Sequence, residues 1–219
     1  MNKERPYFLR LLNIRMFPMD LGRFLIGPFV LLAYRPKVVF VGENAKKSLH
    51  YKHGAILTSN HISLHDPFIV GTAFWRRRMF FLVGEFVMDY PIRGFLLRRA
   101  GCIRVDRKIA DIEAMRKTVS LLEQGSLITI FAEGGIHHGK GPGPFKNGPI
   151  MMAQEANVPI IPCYFEKRKH WWNRYRVAVG ELFDPRDELG DKAPSIAEIR
   201  ACTEKLWEKT KQLEEALRK

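Results

Sequence analysis

Between two predicted elements, the run Asn60-His61-Ile62-Ser63-Leu64-His65-Asp66-Pro67 sets an imidazole and a carboxylate five positions apart. Upstream, Ala55–Ser59 (Ala-Ile-Leu-Thr-Ser) reads as a buried strand. Downstream, Asp66-Pro67-Phe68 reads as a helix start, with Asp66 as N-cap and Pro67 at the first helical position. A carboxylate anchored there can accept one imidazole N–H and fix the tautomer. It also stabilises the imidazolium formed when the other nitrogen takes a proton. The same residues suit a buried loop histidine beside an ordinary helix cap, and this fragment alone does not choose between the two.

Three further segments carry chemistry. The predicted strand Leu127–Phe131 runs into Ala132-Glu133-Gly134-Gly135, where the glycines let main-chain N–H groups approach a ligand closely. Strand Cys102–Val105 ends in Asp106-Arg107, a guanidinium suited to bidentate phosphate binding. Pro144-Phe145-Lys146-Asn147-Gly148 is a loop entering a helix, where a lysine can meet a phosphate at the helix N-terminus. Taken singly, Glu133, Arg107 and Lys146 read as solvated charges. Loops bearing His/Asp, Arg, Glu-Gly-Gly and Lys in succession point to one site.

Apolar runs predict the strands that must position these loops: Val38–Val41, Ala55–Ser59, Met79–Val83, Cys102–Val105, Leu127–Phe131, Ile160–Tyr164 and Tyr175–Val179. Helices are predicted near Pro67–Trp75, Pro91–Arg99, Ile109–Gln124 and Gly148–Ala156. The third carries an apolar stripe of Ile109, Ile112, Met115, Val119 and Leu122, with Gly125 as its stop. A last helix opens on the capping box Ser195-Ile-Ala-Glu198 and runs to the C-terminus. Alternating strands and helices predict an α/β sheet with its site at strand ends.

The N-terminal residues 1–36 read as an arm and 37–219 as the catalytic domain. Within the arm, two short apolar helices, Phe8–Phe17 and Leu21–Tyr34, hinge around Pro18–Asp20 and carry Arg10, Arg15 and Arg23. The uncharged run Phe24–Tyr34 falls well short of the roughly 20 residues that cross a bilayer. The arginines and Asp20 also break any signal-peptide core. Such an arm suits the membrane interface better than a protein core, where its arginines would be poorly placed.

The 219 residues suffice for one domain with a sizeable core, and the formal charge of +13 implies an anionic partner. Cys102, Cys163 and Cys202 lie far apart, which argues for reduced thiols in a protein facing the cytosol. Neither C-x-x-C nor H-E-x-x-H is present. His61, His65, Asp66, His137 and His138 make only a loose metal set, so no metal or cofactor is expected. Gly134–Lys140 matches G-x4-G-K, but Gly141-Pro-Gly-Pro144 supplies neither the Ser/Thr nor the helix that a P-loop needs. No nucleic-acid-binding signature appears, so nucleic acid is not an expected partner.

Asn60–Pro67 resembles the H-x4-D first motif of the glycerolipid acyltransferases, the bacterial lysophosphatidic acid acyltransferase family. Gly101-Cys-Ile-Arg-Val-Asp-Arg107 is similar to the second motif, and Phe131-Ala-Glu-Gly-Gly135 to the third, usually Phe-Pro-Glu-Gly-Thr-Arg. Phe145-Lys-Asn-Gly148 and Val158-Pro-Ile-Ile-Pro162 follow in the family's order. The resemblance, over residues 38 to 185, implies a mixed, mostly parallel sheet flanked by helices, as in glycerol-phosphate acyltransferases. It implies a monotopic enzyme on the cytoplasmic face of an anionic membrane, acylating a lysolipid from acyl-CoA or acyl carrier protein without an acyl-enzyme. By the same resemblance His61 is the general base and Asp66 orients it; His61 is favoured over His65 because the adjacency of His65 to Asp66 makes an orienting contact harder. Arg107 and Lys146 would hold the acceptor phosphate, and Glu133, beside Gly134, the glycerol.

The third motif departs from its usual form: Ala132 replaces proline, and Gly135 and Ile136 stand where threonine and a phosphate-binding arginine are usual. Arg104, His137, His138 or Lys140 are the cations that would have to compensate. Lysophosphatidic acid is the expected acceptor, with another lysolipid as the alternative. In a different class stands a non-catalytic basic membrane-binding protein, whose liposome binding would not depend on His61.

Overall fold

The computed structural model describes residues 17–137, 139, 141–168, 170–190 and 193–218. Helix α1 (Phe17–Tyr34) leads into β1 (Lys37–Phe40), α2 (Ala45–Leu49), β2 (Ala55–Ser59) and α3 (Asp66–Ala73). The middle of the chain forms β3 (Met79–Gly84), α4 (Glu85–Met88), α5 (Pro91–Arg99), β4 (Cys102–Val105) and α6 (Ile112–Glu123). There follow β5 (Leu127–Phe131), α7 (Gly148–Ala156), β6 (Ile160–Phe165), β7 (Arg176–Val179), α8 (Arg186–Leu189) and α9 (Ile196–Arg218).

The strands form one sheet in the order β1-β7-β6-β2-β5-β3-β4. Every neighbouring pair is parallel except β6 with β7. This is the mixed, mostly parallel sheet that was expected, and each of the seven predicted strands forms. Alternate strand residues feed two separate cores. Ile56, Ile128 and Ile160 pack with Leu122 of α6, Ile150 of α7 and Leu206 of α9. On the other face, Leu57, Leu127 and Ile161 pack with Val30 of α1 and Ile69 of α3. Helices on both faces explain why β2 and β6 are wholly buried and read as continuous apolar runs.

Three expectations need correction. Helix α1 is helical through Pro18–Asp20, where a hinge was expected. The other arm helix, apart from Phe17, lies outside the described residues. Helix α6 begins at Ile112, where Asp111 caps it by accepting from the Ala114 N–H at 2.9 Å. Its buried positions are therefore Ala114, Thr118 and Leu122, whereas Ile109 and Ile112 of the predicted stripe are exposed. The predicted C-terminal features do form. Gly125 ends the α6 segment with a φ of +81°, and Ser195 and Glu198 close their capping box, Ser195 N–H donating to Glu198 at 2.7 Å.

Candidate active site

Strand register gathers the predicted residues. In the parallel pair β2–β5 Ser59 lies opposite Phe131, and in β3–β4 Gly84 lies opposite Val105. His61, Glu133 and Arg107 each follow the last residue of their strand by two positions. All three therefore leave the same carboxyl edge of the sheet, where open α/β sheets place ligands.

At the centre, His61 Nδ1 lies 2.9 Å from Asp66 Oδ2. That oxygen also accepts the backbone N–H of Ile62 at 2.8 Å and of Ser63 at 2.9 Å. Oδ1 accepts the Tyr175 hydroxyl at 2.7 Å. Asp66 is completely buried, and these four donors supply the solvation that burial removes. The N-cap position belongs to His65, and Asp66 is the first residue of α3, which corrects the expected cap. Its carboxylate turns back to organise the preceding loop, and Pro67 falls one position later than predicted. A carboxylate on Nδ1 holds the proton there and leaves Nε2 with its lone pair. The His61 ring stacks on Phe131, centroids 4.1 Å apart, so packing as well as hydrogen bonding sets its angle. His65 is exposed and turns to Ser63 Oγ at 3.0 Å, away from Asp66.

Tyr175 was not singled out by sequence. It is 109 residues from Asp66, and its only local signal is its place at the head of a predicted strand. Burial, reinforced by the charge of Asp66, pushes its phenol far above the ordinary tyrosine range, so it remains a donor. Tyr175→Phe is expected to cost about 1.5–3 kcal/mol of stability, the net worth of a hydrogen bond to a charged group. Denaturant unfolding checks it; unchanged stability would reduce Tyr175 to a packing residue.

Glu133 is enlisted by backbone. Its Oε2 accepts the His61 N–H at 3.3 Å and its Oε1 the Gly143 N–H at 2.7 Å. Burial raises its carboxyl above the ordinary 4.5, and the two amides partly reverse that. The His137 N–H donates to the His61 carbonyl at 2.8 Å, so the loop after β5 holds His61 from both sides. Asn60, another residue that sequence did not single out, ties the end of β2 to β6. Its side chain donates to Phe165 O at 2.9 Å and accepts from Phe165 N–H at 2.7 Å.

The two cations meet at the Gly134-Gly135 turn. Arg107 Nη1 donates to the Gly134 carbonyl at 2.6 Å, and its guanidinium lies over the Phe86 ring. Gly134 has a φ of +73°, and a Cβ there would fall 2.6 Å from Lys146 Cε. Gly134→Ala should therefore displace Lys146, raising KM for a phosphate-bearing acceptor more than it lowers kcat; steady-state kinetics measures the split. Arg104 is committed to a bidentate pair with Asp89 at 2.8 and 3.1 Å. His138 and Lys140 lie outside the described residues.

Beside His61 and Arg107 opens a cavity of about 540 Å³ with mostly apolar walls. Met19 and Val30 of α1, Phe68 of α3, Phe81 of β3 and Phe86 of α4 contribute to it. Ile136, at the third-motif position where arginine is usual, also lines this cavity. Among the described residues, no group of three or more His, Cys, Asp or Glu side chains is placed to hold a metal ion.

Fold and site together define an α/β protein with a strand-end His–Asp pair facing an apolar cavity flanked by cations. The chain belongs to the acyltransferase family, whose model, described as Acyltransferase, matches residues 37–166. Among its curated relatives, 1-acyl-sn-glycerol-3-phosphate acyltransferase of Limnanthes alba is 32% identical over 159 residues, covering 68% of this chain and 52% of that protein. The Haemophilus influenzae protein of the same name is 32% identical over 129 residues, 54% of this chain and 52% of that one. The chain thus spans about half the length of these relatives. Among solved structures, the 1-acyl-sn-glycerophosphate (LPA) acyltransferase of Thermotoga maritima superposes with a TM-score of 0.61 at 17% identity, covering 98% of this chain and 99% of that one.

Proposed function

We propose that this protein is a membrane-associated O-acyltransferase acting in phospholipid biosynthesis. It moves a fatty acyl group from acyl-CoA or acyl carrier protein to the free hydroxyl of 1-acylglycerol 3-phosphate, making phosphatidic acid. One observation carries the reading: the His61–Asp66 pair faces an apolar cavity beside Arg107 and Lys146. His61 Nε2 takes the hydroxyl proton as the oxygen attacks the thioester carbonyl, while the Asp66 carboxylate stabilises the imidazolium. The C–S bond breaks, and the imidazolium returns its proton to the departing thiolate. A thioester has a good leaving group, so base and positioning suffice without a covalent acyl-enzyme. Arg107 and Lys146 bind the acceptor phosphate, and the cavity takes an acyl chain. Glu133 acts through His61, whose main chain it anchors, as well as bordering the glycerol site.

The bilayer supplies the acceptor and receives the product. Helix α1 is long and apolar enough to cross a membrane by length and composition, yet its polar residues bind the domain. Asp20 pairs with Arg78, and Arg23 donates to the Trp75 carbonyl. Phe24, Phe29 and Leu32 point outward. These ties favour a helix lying in the membrane interface, and the three free cysteines favour a monotopic protein on the cytoplasmic face. A second reading, acylation of a different lysolipid, is favoured by Ile136, which adds apolar wall where the family usually places a phosphate-binding arginine. Purified protein in detergent micelles, offered a panel of lysolipids with each donor, tests both. Preference for lysophosphatidic acid of at least about tenfold supports the phosphate site. Indifference to headgroup favours the second reading, and no transfer to any lysolipid rejects the activity.

A further inference from the structure

We propose that the α4–α5 hairpin is a second lipid-docking element, which sits on an anionic bilayer on the opposite side of the cavity mouth from α1. The proposal rests on the membrane reading above and adds a partner surface to the same site. Helix α5 spans nine residues, of which only Gly94 is buried. Ile92 is 78% exposed, Leu96 59% and Phe95 52%, and Phe86 of α4 is 57% exposed. Apolar residues scattered singly over a surface need no explanation, but Ile92, Phe95 and Leu96 stand at i, i+3 and i+4 and share one face of α5.

The hairpin is built to hold that patch out. A Cβ on Gly94 would lie 1.9 Å from the Met88 carbonyl, so the α5 backbone packs directly against the end of α4. Arg93 donates to the carbonyls of Val87 at 2.7 Å and Phe86 at 3.1 Å, closing the turn between the two helices. A glycine thus supplies the packing, and Ile92, Phe95 and Leu96 stay exposed.

Position and charge select the occupant. Phe86, Val87 and Leu97 line the cavity whose other wall includes Met19, Ile26 and Val30 of α1, so the hairpin and α1 form two lips of one opening. Arginines are interleaved with the apolar side chains. The Arg99 guanidinium lies 4.9 Å from the Phe95 ring centroid and that of Arg93 4.2 Å from Tyr90. Cations at the rim of an aromatic patch match lipid phosphates above an acyl layer. An acidic carrier protein would neutralise the arginines but leave Ile92, Phe95 and Leu96 in water. With both lips on the bilayer, an acyl chain passes sideways into the cavity without crossing water.

The three native cysteines are buried, so Ile92→Cys offers one reactive exposed thiol for an environment-sensitive nitrobenzoxadiazole dye. On vesicles of roughly three parts phosphatidylcholine to one part phosphatidylglycerol, an anionic surface, the dye should brighten and shift to the blue. The unlabelled variant Ile92→Ser/Phe95→Ser/Leu96→Ser should bind these vesicles at least about tenfold more weakly, from the apolar area withheld. Its turnover of a short-chain, water-soluble acceptor should be unchanged. An unresponsive dye, with vesicle binding lost only in Phe24→Ser/Phe29→Ser, would overturn the hairpin's role while leaving α1 as the anchor. Failure of the unaltered protein to bind would remove the membrane reading itself. Intact vesicle binding with turnover lost only for acyl carrier protein donors would make the hairpin a protein-docking face and overturn the proposal.

Discussion

His61→Ala is expected to lower kcat/KM by about 10²–10⁴-fold, the range supplied by a positioned general base. The ring is partly exposed at the cavity wall, not inside either apolar core, so its removal should leave the fold intact. Vesicle binding and thermal stability should stay near those of the unaltered protein. That separation is the informative part. A protein that merely binds membranes through basic residues would bind lipid equally well with either residue at position 61 and show no turnover with either. Transfer at an undiminished rate by His61→Ala would require another base, and the arrangement around Asp66 would then be structural only.

The second large effect divides fold from chemistry at Asp66. In Asp66→Asn the amide oxygen can take the place of Oδ2 and keep the His61, Ile62 and Ser63 donors. The amide nitrogen then faces the Tyr175 hydroxyl, which can accept as well as donate. The loop should therefore survive and the tautomer stay correct, while the imidazolium loses its counter-charge. A kcat lower by about 10²–10³-fold with little loss of stability is expected. Asp66→Ala has no such substitute. It strands four buried or half-buried donors, each worth about 1–3 kcal/mol when left unsatisfied in the interior, although water entering the space reduces the total. Calorimetry alongside kinetics distinguishes the cases. Equal destabilisation by Asn and Ala would show that the negative charge itself, rather than hydrogen-bond geometry, holds the loop.

Much of this site was legible because its parts are local. The H-x4-D spacing brings imidazole and carboxylate together over one short loop, and the strand runs before His61, Arg107 and Glu133 mark where those side chains emerge. The contacts that sequence missed are long-range or made by the backbone. Tyr175 reaches Asp66 only because β7 carries it to the end of the sheet near β2. Asn60 meets Phe165 because β2 and β6 are neighbours, although 105 residues separate the pair. Glu133 was read as a contact to the glycerol from the family resemblance, whereas both its oxygens also hold main-chain amides. Ile109 and Ile112 drop out of the α6 stripe because the helix starts only after Asp111, whereas Met115, Val119 and Leu122 still face the core. Single-turn helices such as α4 and α8 are too short to show a period.

By itself, then, the amino-acid order determined the seven strands, the α/β class and the residues that stand at strand ends. Those features depend on short-range propensity and on apolar patterning within a few positions. Strand neighbours, the reversal of β7 against β6, the four-donor cradle of Asp66 and the cavity walled by residues 18 to 136 were decided only by tertiary structure. Each depends on which buried faces pack together. That choice is a property of the whole chain, because a given apolar strand is complementary to several possible neighbours and only the complete core selects among them.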